Sequence, residues 1–301
     1  MAGSGIDLKS VHLLLTYKCD GECDHCFVWS SPQAPGTMRL SQVEETIRQA
    51  AEIDTVDSVY FEGGEPFLFY PIMLKGVELA REYGLNAGIV SNAYWAEGVD
   101  DAELWLRPLA ELGLSDLSMS TDDYHGETES ARRVANATEA ARRLGIDVGV
   151  LRVKRIEDQV QMDSQDGDAG AVYFRGRAAV KLVDKVPWVM RSTLTVCPEE
   201  PPNISRVHVD AYGNVLFCQG ISIGNMNDIP LKTMFSQLSP EEHPLIGPLT
   251  RGGPAALANE LSMKAEEKYA DACHMCYDLR RRLRAEGRFA EILRPGQAYG
   301  D

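Results

Sequence analysis

Apolar, β-branched segments alternate with helical patterns through the first 180 residues, and this alternation limits the fold more than any other feature of the sequence. Repeated strand–helix units favour parallel strands joined by right-handed helical crossovers, in an open or closed barrel. The sequence therefore predicts an α/β fold. The predicted strands cover residues 11–17 (VHLLLTY), 56–66, 86–92, 115–122, 147–153 and 171–179.

The pattern changes near residue 190. The segment VHVDAYGNVLFC (207–218) predicts a β-hairpin, because Gly213 and Asn214 separate two alternating strands. A connector rich in proline and glycine follows, and then helical patterns on either side of CHMC (273–276). We therefore expect a flexible lead over 1–10, a βα domain over 11–190 and a small α+β domain over 191–301.

Charge and hydropathy exclude several classes of function. The chain has 301 residues and a net charge of −15, which opposes binding to nucleic acid or to anionic lipid. The basic run LRRRLR (279–284) is interpreted as the solvated face of a helix. No apolar segment approaches the roughly 20 residues that span a bilayer, and no signal peptide opens the chain. We expect a cytoplasmic protein without a membrane or nucleic-acid partner.

Three of the seven cysteines follow the first predicted strand with the spacing C-x3-C-x2-C. In a reducing compartment, clustered cysteines indicate metal more often than disulfides. Each iron of a [4Fe–4S] cube needs one ligand, and cysteine thiolate is the usual one. Cys19, Cys23 and Cys26 could therefore hold three corners of a cube and leave the fourth iron open, although a zinc loop can have the same spacing.

Polar and glycine residues stand at the ends of the next strands. The carboxyl ends of parallel strands meet at one mouth, where active sites gather. These residues are therefore expected to lie close to the cysteine loop. They are Gly63, Gly64, Glu65 and Pro66 after the second strand, Ser91 and Asn92 after the third, Ser118 and Ser120 in the fourth, and Arg152 in the fifth.

Together these motifs resemble the radical S-adenosylmethionine (radical SAM) enzymes, twitch/SPASM-type subgroup. The cysteine loop, with His25 before its last cysteine, is similar to that family's signature, and GGEP (63–66) to its second motif. The resemblance covers residues 11 to about 180. It implies a partial (βα)6 TIM-like barrel in which GGEP binds the methionine amino group of SAM.

The resemblance also implies a mechanism. The open iron would chelate SAM, and one electron would cleave it to methionine and a 5′-deoxyadenosyl radical that abstracts hydrogen from substrate. The electron would come from a reducing donor such as flavodoxin or ferredoxin. The cofactors carry this chemistry, while the protein orients them and excludes water.

The resemblance also implies, less directly, roles for residues at the ends of the later strands. Ser91 and Asn92 match the family's Thr-Asn-Gly position near the ribose and carboxylate of SAM. Ser118 and Ser120 would face the mouth, and Arg152 could pair with a carboxylate. Each could instead cap a helix or satisfy a loop.

Two further pairs of residues have open interpretations. Asp123 and His125 are candidates to take a proton from substrate, with a helix N-cap and a surface histidine as the alternatives. Arg175 and Arg177 could bind an anionic substrate or form ion pairs.

The four remaining cysteines, Cys197, Cys218, Cys273 and Cys276, resemble the twitch domain, which carries one auxiliary [4Fe–4S] cluster. A four-cysteine zinc site is the alternative. If all four ligate, the cluster would relay an electron. His208 and His274 lie near these cysteines in sequence and could replace a ligand.

The sequence is compatible with three functions. The first is a radical SAM dehydrogenase or bond-forming oxidase acting on a small molecule. The second is a peptide or protein maturase, which is less expected because only about ten residues precede the first predicted strand, too few for a leader-recognition domain. The third is a non-catalytic iron–sulfur or zinc protein that carries electrons or acts as a sensor.

Overall fold

The computed structural model describes residues 6–121, 127–153, 169–170, 172–199 and 201–301. The strands are β1 Ser10–Thr16, β2 Ser58–Gly63, β3 Asn86–Ser91, β4 Asp116–Ser120, β5 Asp147–Val153, β6 Ala169–Gly170, β7 Val189–Met190, β8 Arg206–Val209, β9 Asn214–Cys218, β10 Ile221–Asn225 and β11 Lys268–Tyr269. The α-helices are α1 Leu40–Ala51, α2 Tyr70–Glu82, α3 Val99–Glu111, α4 Glu127–Arg143, α5 Ala178–Lys181, α6 Leu231–Gln237, α7 Ile246–Glu260 and α8 Ala272–Ala285. None of these helices has both the length and the apolar composition that crossing a bilayer requires.

One nine-stranded sheet organises the molecule, in the order β10-β9-β8-β1-β2-β3-β4-β5-β6. Strands β1 to β5 each pair in parallel with the next strand, so that β1 to β6 form a continuous parallel set. Helices α1 to α4 connect β1 to β5, one after each strand. The predicted α/β class, with a mainly parallel sheet, is confirmed. The bounds of β5 coincide with the predicted 147–153.

The predicted hairpin after residue 190 extends the same sheet. Strand β8 pairs in parallel with β1, and β8 and β9 are antiparallel, as predicted for 207–218. The buried Asp210 carboxylate accepts the backbone N–H groups of Tyr212 and Asn214, both at 2.9 Å, so it closes the turn. The Tyr17 hydroxyl donates to the same carboxylate at 3.2 Å and ties the hairpin to the end of β1. The predicted domain boundary near 190 stays a prediction.

The predicted sixth strand over 171–179 is wrong. Strand β6 ends at Gly170, and residues 178–181 form the short helix α5 instead. The cause is a contact with the cysteine loop: Gly176 has φ +59°, and an added Cβ there would lie 2.5 Å from the Phe27 carbonyl oxygen. The Arg177 N–H donates to the Cys26 carbonyl at 2.9 Å, which turns the chain away from an extended path.

The two faces of the parallel sheet differ in chemistry. Side chains alternate between faces along each strand. Val11, Leu13, Val59, Phe61 and Ile89 are fully buried and pack in the core with the helices. The opposite face, here called the inner face, carries His12, Tyr60, Glu62 and Ser118 at neighbouring register positions. The fold therefore places polar side chains opposite the helix-covered core.

Close packing of α2 on β2 generates a first prediction. An added Cβ at Gly76 would lie 2.5 Å from a ring carbon of Phe61 and 3.1 Å from a methyl group of Val43. We expect Gly76→Ala to lower the free energy of unfolding by about 1–2 kcal/mol, because overpacking outweighs the better helix propensity of alanine. Chemical denaturation measures this difference. Lys75→Ala, at the neighbouring half-exposed position, is the control; it removes only a solvent-screened ion pair with Glu78 and should change little. An unchanged stability of Gly76→Ala would contradict the packing described.

Candidate active site

The loop after β1 carries Cys19, Cys23 and Cys26 and is held by its own backbone. The Gly21 N–H donates to the Cys19 sulfur at 3.4 Å, and the Ser30 N–H donates to the Cys26 sulfur at 3.3 Å. Burial raises the pKa of the Cys19 thiol well above its ordinary value. Amide donors directed at sulfur favour the thiolate form, which is the form that ligates metal.

A cavity that opens to solvent lies beside this loop at the carboxyl ends of the strands. It brings together eight of the predicted site residues as its wall. They are Cys19, Cys23, Cys26, Gly63, Gly64, Ser91, Asn92 and Ser120.

The glycine pair after β2 is fastened to the start of the cysteine loop. The Gly64 N–H donates to the Thr16 carbonyl at 2.7 Å, and the Glu65 N–H donates to the Lys18 carbonyl at 2.9 Å. An added Cβ would lie 2.3 Å from the Thr16 oxygen at Gly63, where φ is +129°, and 2.1 Å from the Lys18 oxygen at Gly64. Glycine at both positions therefore permits the close approach of these two segments.

Glu65 braces β2 against β3 from a fully buried position. Its carboxylate accepts the Phe67 N–H at 3.0 Å, the Ser91 hydroxyl at 3.0 Å and the Asn92 N–H at 2.8 Å. Burial raises the pKa of Glu65 to about 7, against the opposing effect of these hydrogen bonds. The Glu65 side chain thus holds the two strand ends together, and Pro66 begins the short 3₁₀ turn that follows.

Ser91, the last residue of β3, and Asn92, the residue after it, have different hydrogen-bond partners. Ser91 also accepts the Trp95 indole N–H at 3.0 Å, and Trp95 stacks on Phe67 at 4.3 Å between ring centroids. Asn92 instead points its amide toward the cysteine loop, where Nδ2 donates to Asp20 at 2.7 Å and lies 3.8 Å from the Cys19 sulfur. Of these residues, Asn92 has its side chain closest to the thiols.

The remaining predicted residues have different outcomes. The Ser118 hydroxyl donates to Asp116 at 3.3 Å, and Ser118 is not among the described residues that line the cavity. Arg152 lies in β5, and its side chain is not among those described. Asp123 and His125 lie outside the described residues, so their roles stay predictions.

Arg177 resolves one of the open interpretations. Its guanidinium is buried and donates to the carbonyl oxygens of Cys23 and Ser30, both at 2.7 Å. Its carbon lies 5.4 Å from the centroid of the Trp29 ring. Arg177 therefore holds the cysteine loop closed. Its main contacts are backbone carbonyls, and Glu22 lies farther away at 3.7 Å.

A hydrogen-bonded trio on the inner face was missed by sequence reasoning. Glu62 Oε1 lies 2.6 Å from His12 Nδ1 and 3.1 Å from His208 Nε2. Burial raises the pKa of Glu62, but His208 and His12 outweigh it and hold that pKa below its ordinary value. Burial lowers the pKa of His208. An ionised Glu62 therefore accepts an N–H from each imidazole, which leaves Nδ1 of His208 unprotonated.

A second cavity is lined by all four remaining cysteines. Cys218 ends β9, Cys273 and Cys276 lie in the first turns of α8, and Cys197 lies in the segment before β8. The predicted grouping of these four residues is therefore present. His208 bonds to Glu62, and His274 Nδ1 accepts the Ala270 N–H at 3.1 Å, so both histidines are engaged elsewhere.

Arg175 and Arg280 line the same cavity. Arg175 Nη1 donates to the Cys218 sulfur at 3.3 Å and pairs with Glu199. Of the two interpretations of Arg175, a site for an anionic substrate or an ion pair, the ion pair is thus the one observed. Arg280 is 1% exposed, so the interpretation of LRRRLR as a solvated helix face is wrong at this residue. Two cationic side chains therefore line the cavity, and the composition of the sequence did not predict this.

The loop of Cys19, Cys23 and Cys26 is fastened to Gly63 and Gly64, here called the glycine edge, at the carboxyl ends of parallel strands. This arrangement is the one expected of a cofactor site of the radical SAM class. Residues 13–154, just under half of the chain, match the Radical SAM superfamily. The family implies SAM and a [4Fe–4S] cluster as cofactors.

Individual relatives match part of the chain. YydG of Bacillus subtilis (strain 168), named for peptide biosynthesis, is 27% identical over 135 residues, 45% of this chain and 42% of that protein. A protein of Archaeoglobus fulgidus is 27% identical over 147 residues, 47% of this chain and 34% of the relative. The chain thus spans less than half the length of these curated relatives.

The fold is similar to that of BtrN in its crystal structure with AdoMet and 2-DOIA. The TM-score is 0.50 at 19% identity, and the match covers 76% of this chain and 82% of that chain. This likeness supports the fold alone.

The buried Glu65 generates a second prediction. Its folded-state pKa of about 7 exceeds the ordinary 4.5, so its contribution to stability is full below that ordinary value and is lost as pH rises through about 7. Glu65→Gln removes this titration. We expect the free energy of unfolding of the wild type to fall relative to the variant by roughly 3 kcal/mol across this window. Denaturant titrations at a series of pH values measure it.

The control is Glu44→Gln, at an exposed position of α1, which should leave the pH profile unchanged. Parallel profiles for the wild type and Glu65→Gln would show that Glu65 does not titrate in this window.

Proposed function

We propose that this chain is a radical SAM oxidoreductase that cleaves SAM reductively, abstracts a hydrogen atom from its substrate and uses a second [4Fe–4S] cluster to accept an electron. When bound, SAM and the clusters supply the radical and redox chemistry. The observation that carries the proposal is the fastening of the cysteine loop to Gly64 and Glu65 by two short backbone hydrogen bonds. The chain's own residues hold, orient and enclose these groups.

The three-cysteine loop fits a cluster with one open iron. Among the described residues, no three thiols lie within 4.8 Å of one another, so this loop is wider than a single metal ion needs. Amide donors reach two of its sulfurs, and Arg177 fixes the loop backbone. Asn92 and the Gly63–Gly64 edge would then face SAM across the cavity.

The four-cysteine cavity supports an auxiliary cluster more than zinc. A tetrahedral zinc with Zn–S bonds of about 2.3 Å would bring its sulfurs to about 3.8 Å from one another. Across the described part of the chain, no trio of these thiols is that close. The wider spacing favours a larger inorganic core.

The inner-face trio supplies a candidate proton acceptor for the oxidation. Removing a hydrogen atom and an electron from an alcohol or amine carbon leaves a proton on the heteroatom. His208 Nδ1 is buried without a hydrogen-bond partner among the described residues, and Glu62 orients its ring from the opposite side. Glu62 also lines the cavity beside the thiols. His208 is therefore a candidate base beside Asp123 and His125.

Two classes of substrate are candidates, a small molecule and a peptide. The polar inner face of His12, Tyr60, Glu62 and Ser118 suits a small molecule that carries hydroxyl or amine groups. A peptide is the second candidate, which the similarity to YydG favours over part of the chain. Flavodoxin or ferredoxin is the proposed electron donor, and the cytoplasm is the proposed location.

Iron content and SAM cleavage test the proposed function. Anaerobic reconstitution should give about eight irons per chain, four in each cube. With SAM and dithionite, the protein should release 5′-deoxyadenosine. Cys26→Ala should keep about four irons and lose this release, because its first cluster cannot form. Cys276→Ala is the matched control that removes a ligand of the second cavity only, and it should keep SAM cleavage.

Other outcomes separate the two parts of the proposal. About four irons plus one zinc per chain would remove the auxiliary cluster and leave radical chemistry in place. A fully loaded protein that releases no 5′-deoxyadenosine would contradict the proposal as a whole.

A further inference from the structure

Arg280 is a buried cation without a carboxylate partner among the described residues. Its Nη1 donates to the Gln219 carbonyl at 2.7 Å and lies 3.4 Å from the Tyr299 hydroxyl. The rings of Tyr277 and Tyr299 lie 5.6 and 5.7 Å from its guanidinium carbon. All of these partners are neutral. A buried charge without a counter-charge is costly, so an anion is expected beside it.

The four-cysteine cavity supplies the place for that anion. Arg280 lies four residues after Cys276 on α8, and both side chains line the cavity. Ligation deprotonates the thiols, and four thiolates leave either an iron–sulfur cluster or zinc with net negative charge. The unpartnered guanidinium is therefore explained by a metal centre at this position.

Arg175 and Glu199 add a second, oppositely charged pair at the same wall. Arg175 bonds to the Cys218 sulfur at 3.3 Å, and its side chain is 14% exposed. Glu199, 15% exposed, pairs with Arg175 and lies 3.5 Å from Arg206. Three charged groups thus surround the cavity in a region that solvent screens little.

We propose that Arg175, Arg280 and Glu199 set the reduction potential of the auxiliary cluster, with the two arginines raising it and Glu199 lowering it. The proposal rests on the proposed function, because it requires a redox-active cluster in this cavity. Reduction adds one electron to a centre that is already negative. Nearby cations stabilise the reduced form more than the oxidised form, and an anion does the reverse. The balance of the three groups would decide how readily the cluster accepts an electron from substrate.

The experiment is a redox titration followed by electron paramagnetic resonance. The full chain with Cys19, Cys23 and Cys26 replaced by Ala isolates the auxiliary signal. In that background, Arg280→Gln and Arg175→Gln should shift the midpoint potential to more negative values, and Glu199→Gln should shift it to more positive values. Arg280→Lys keeps the charge and should restore most of the wild-type potential. None of these measurements needs the substrate.

Arg282→Gln is the matched control. Arg282 lies on the same helix, is 34% exposed on its side chain and pairs with Asp278 at 2.7 Å. Solvent screens this charge, so its loss should leave the potential nearly unchanged.

Iron and zinc analysis of each variant keeps the outcomes distinct. A purely structural role of the arginines would lower cluster retention without a sign reversal between the arginine and glutamate variants. Four irons per chain with equal potentials in all variants would overturn the inference and leave the proposed function standing. Zinc in the cavity would overturn the inference and the auxiliary-cluster part of the proposed function, because no redox signal would remain, and it would leave the proposed SAM cleavage standing.

Discussion

Strand β1 is hydrogen-bonded in parallel on both sides, and the arrangement of both cysteine groups depends on this pairing. His12 is in register with Tyr60 of β2 and with His208 of β8. A slip of one residue would exchange the two faces of the strand and place His12 in the apolar core, so the register is strongly specified. The loop at the end of β1 carries the first three cysteines. The neighbours of β1 carry the glycine edge on one side and the Cys218 hairpin on the other, so one strand sets the relative position of both groups.

Buried ionisable side chains hold backbone segments together through hydrogen bonds. Arg177 binds two carbonyl oxygens of the cysteine loop, and Glu65 binds backbone donors on two sides. Asp210 does the same for the hairpin turn, and the Tyr17 hydroxyl connects it to the end of β1. A charged group that is satisfied by several backbone partners is costly to move, because each lost bond leaves a buried polar atom unpaired. This explains how segments without regular structure can position thiols.

Sequence reasoning predicted what local spacing determines. The cysteine loop, the glycine edge and strand β5 depend on residues close in sequence, and the structure places them as expected. The prediction of the sixth strand is wrong because the chain at Gly176 packs against Phe27, which is distant in sequence. No local pattern encodes this contact. The trio of His12, Glu62 and His208 comes from three strands that become neighbours only when β8 joins β1. Its one local signal was the alternation that put His12 and Glu62 on the polar face of their strands.

The burial of Arg280 could have been predicted from helical geometry. Positions i, i+3 and i+7 share one face of a helix, and Cys273, Cys276 and Arg280 have that spacing. A helix that turns its two cysteines inward must therefore turn Arg280 inward, while Arg281 is exposed. The interpretation of LRRRLR as one solvated face treated neighbouring residues as equivalent, although consecutive residues on a helix point about 100° apart. Because Cys273, Cys276 and Arg280 lie on one helix, its backbone fixes the spacing of their Cα atoms. The charge beside the second cavity is thus fixed by the same helix that supplies half of its thiols.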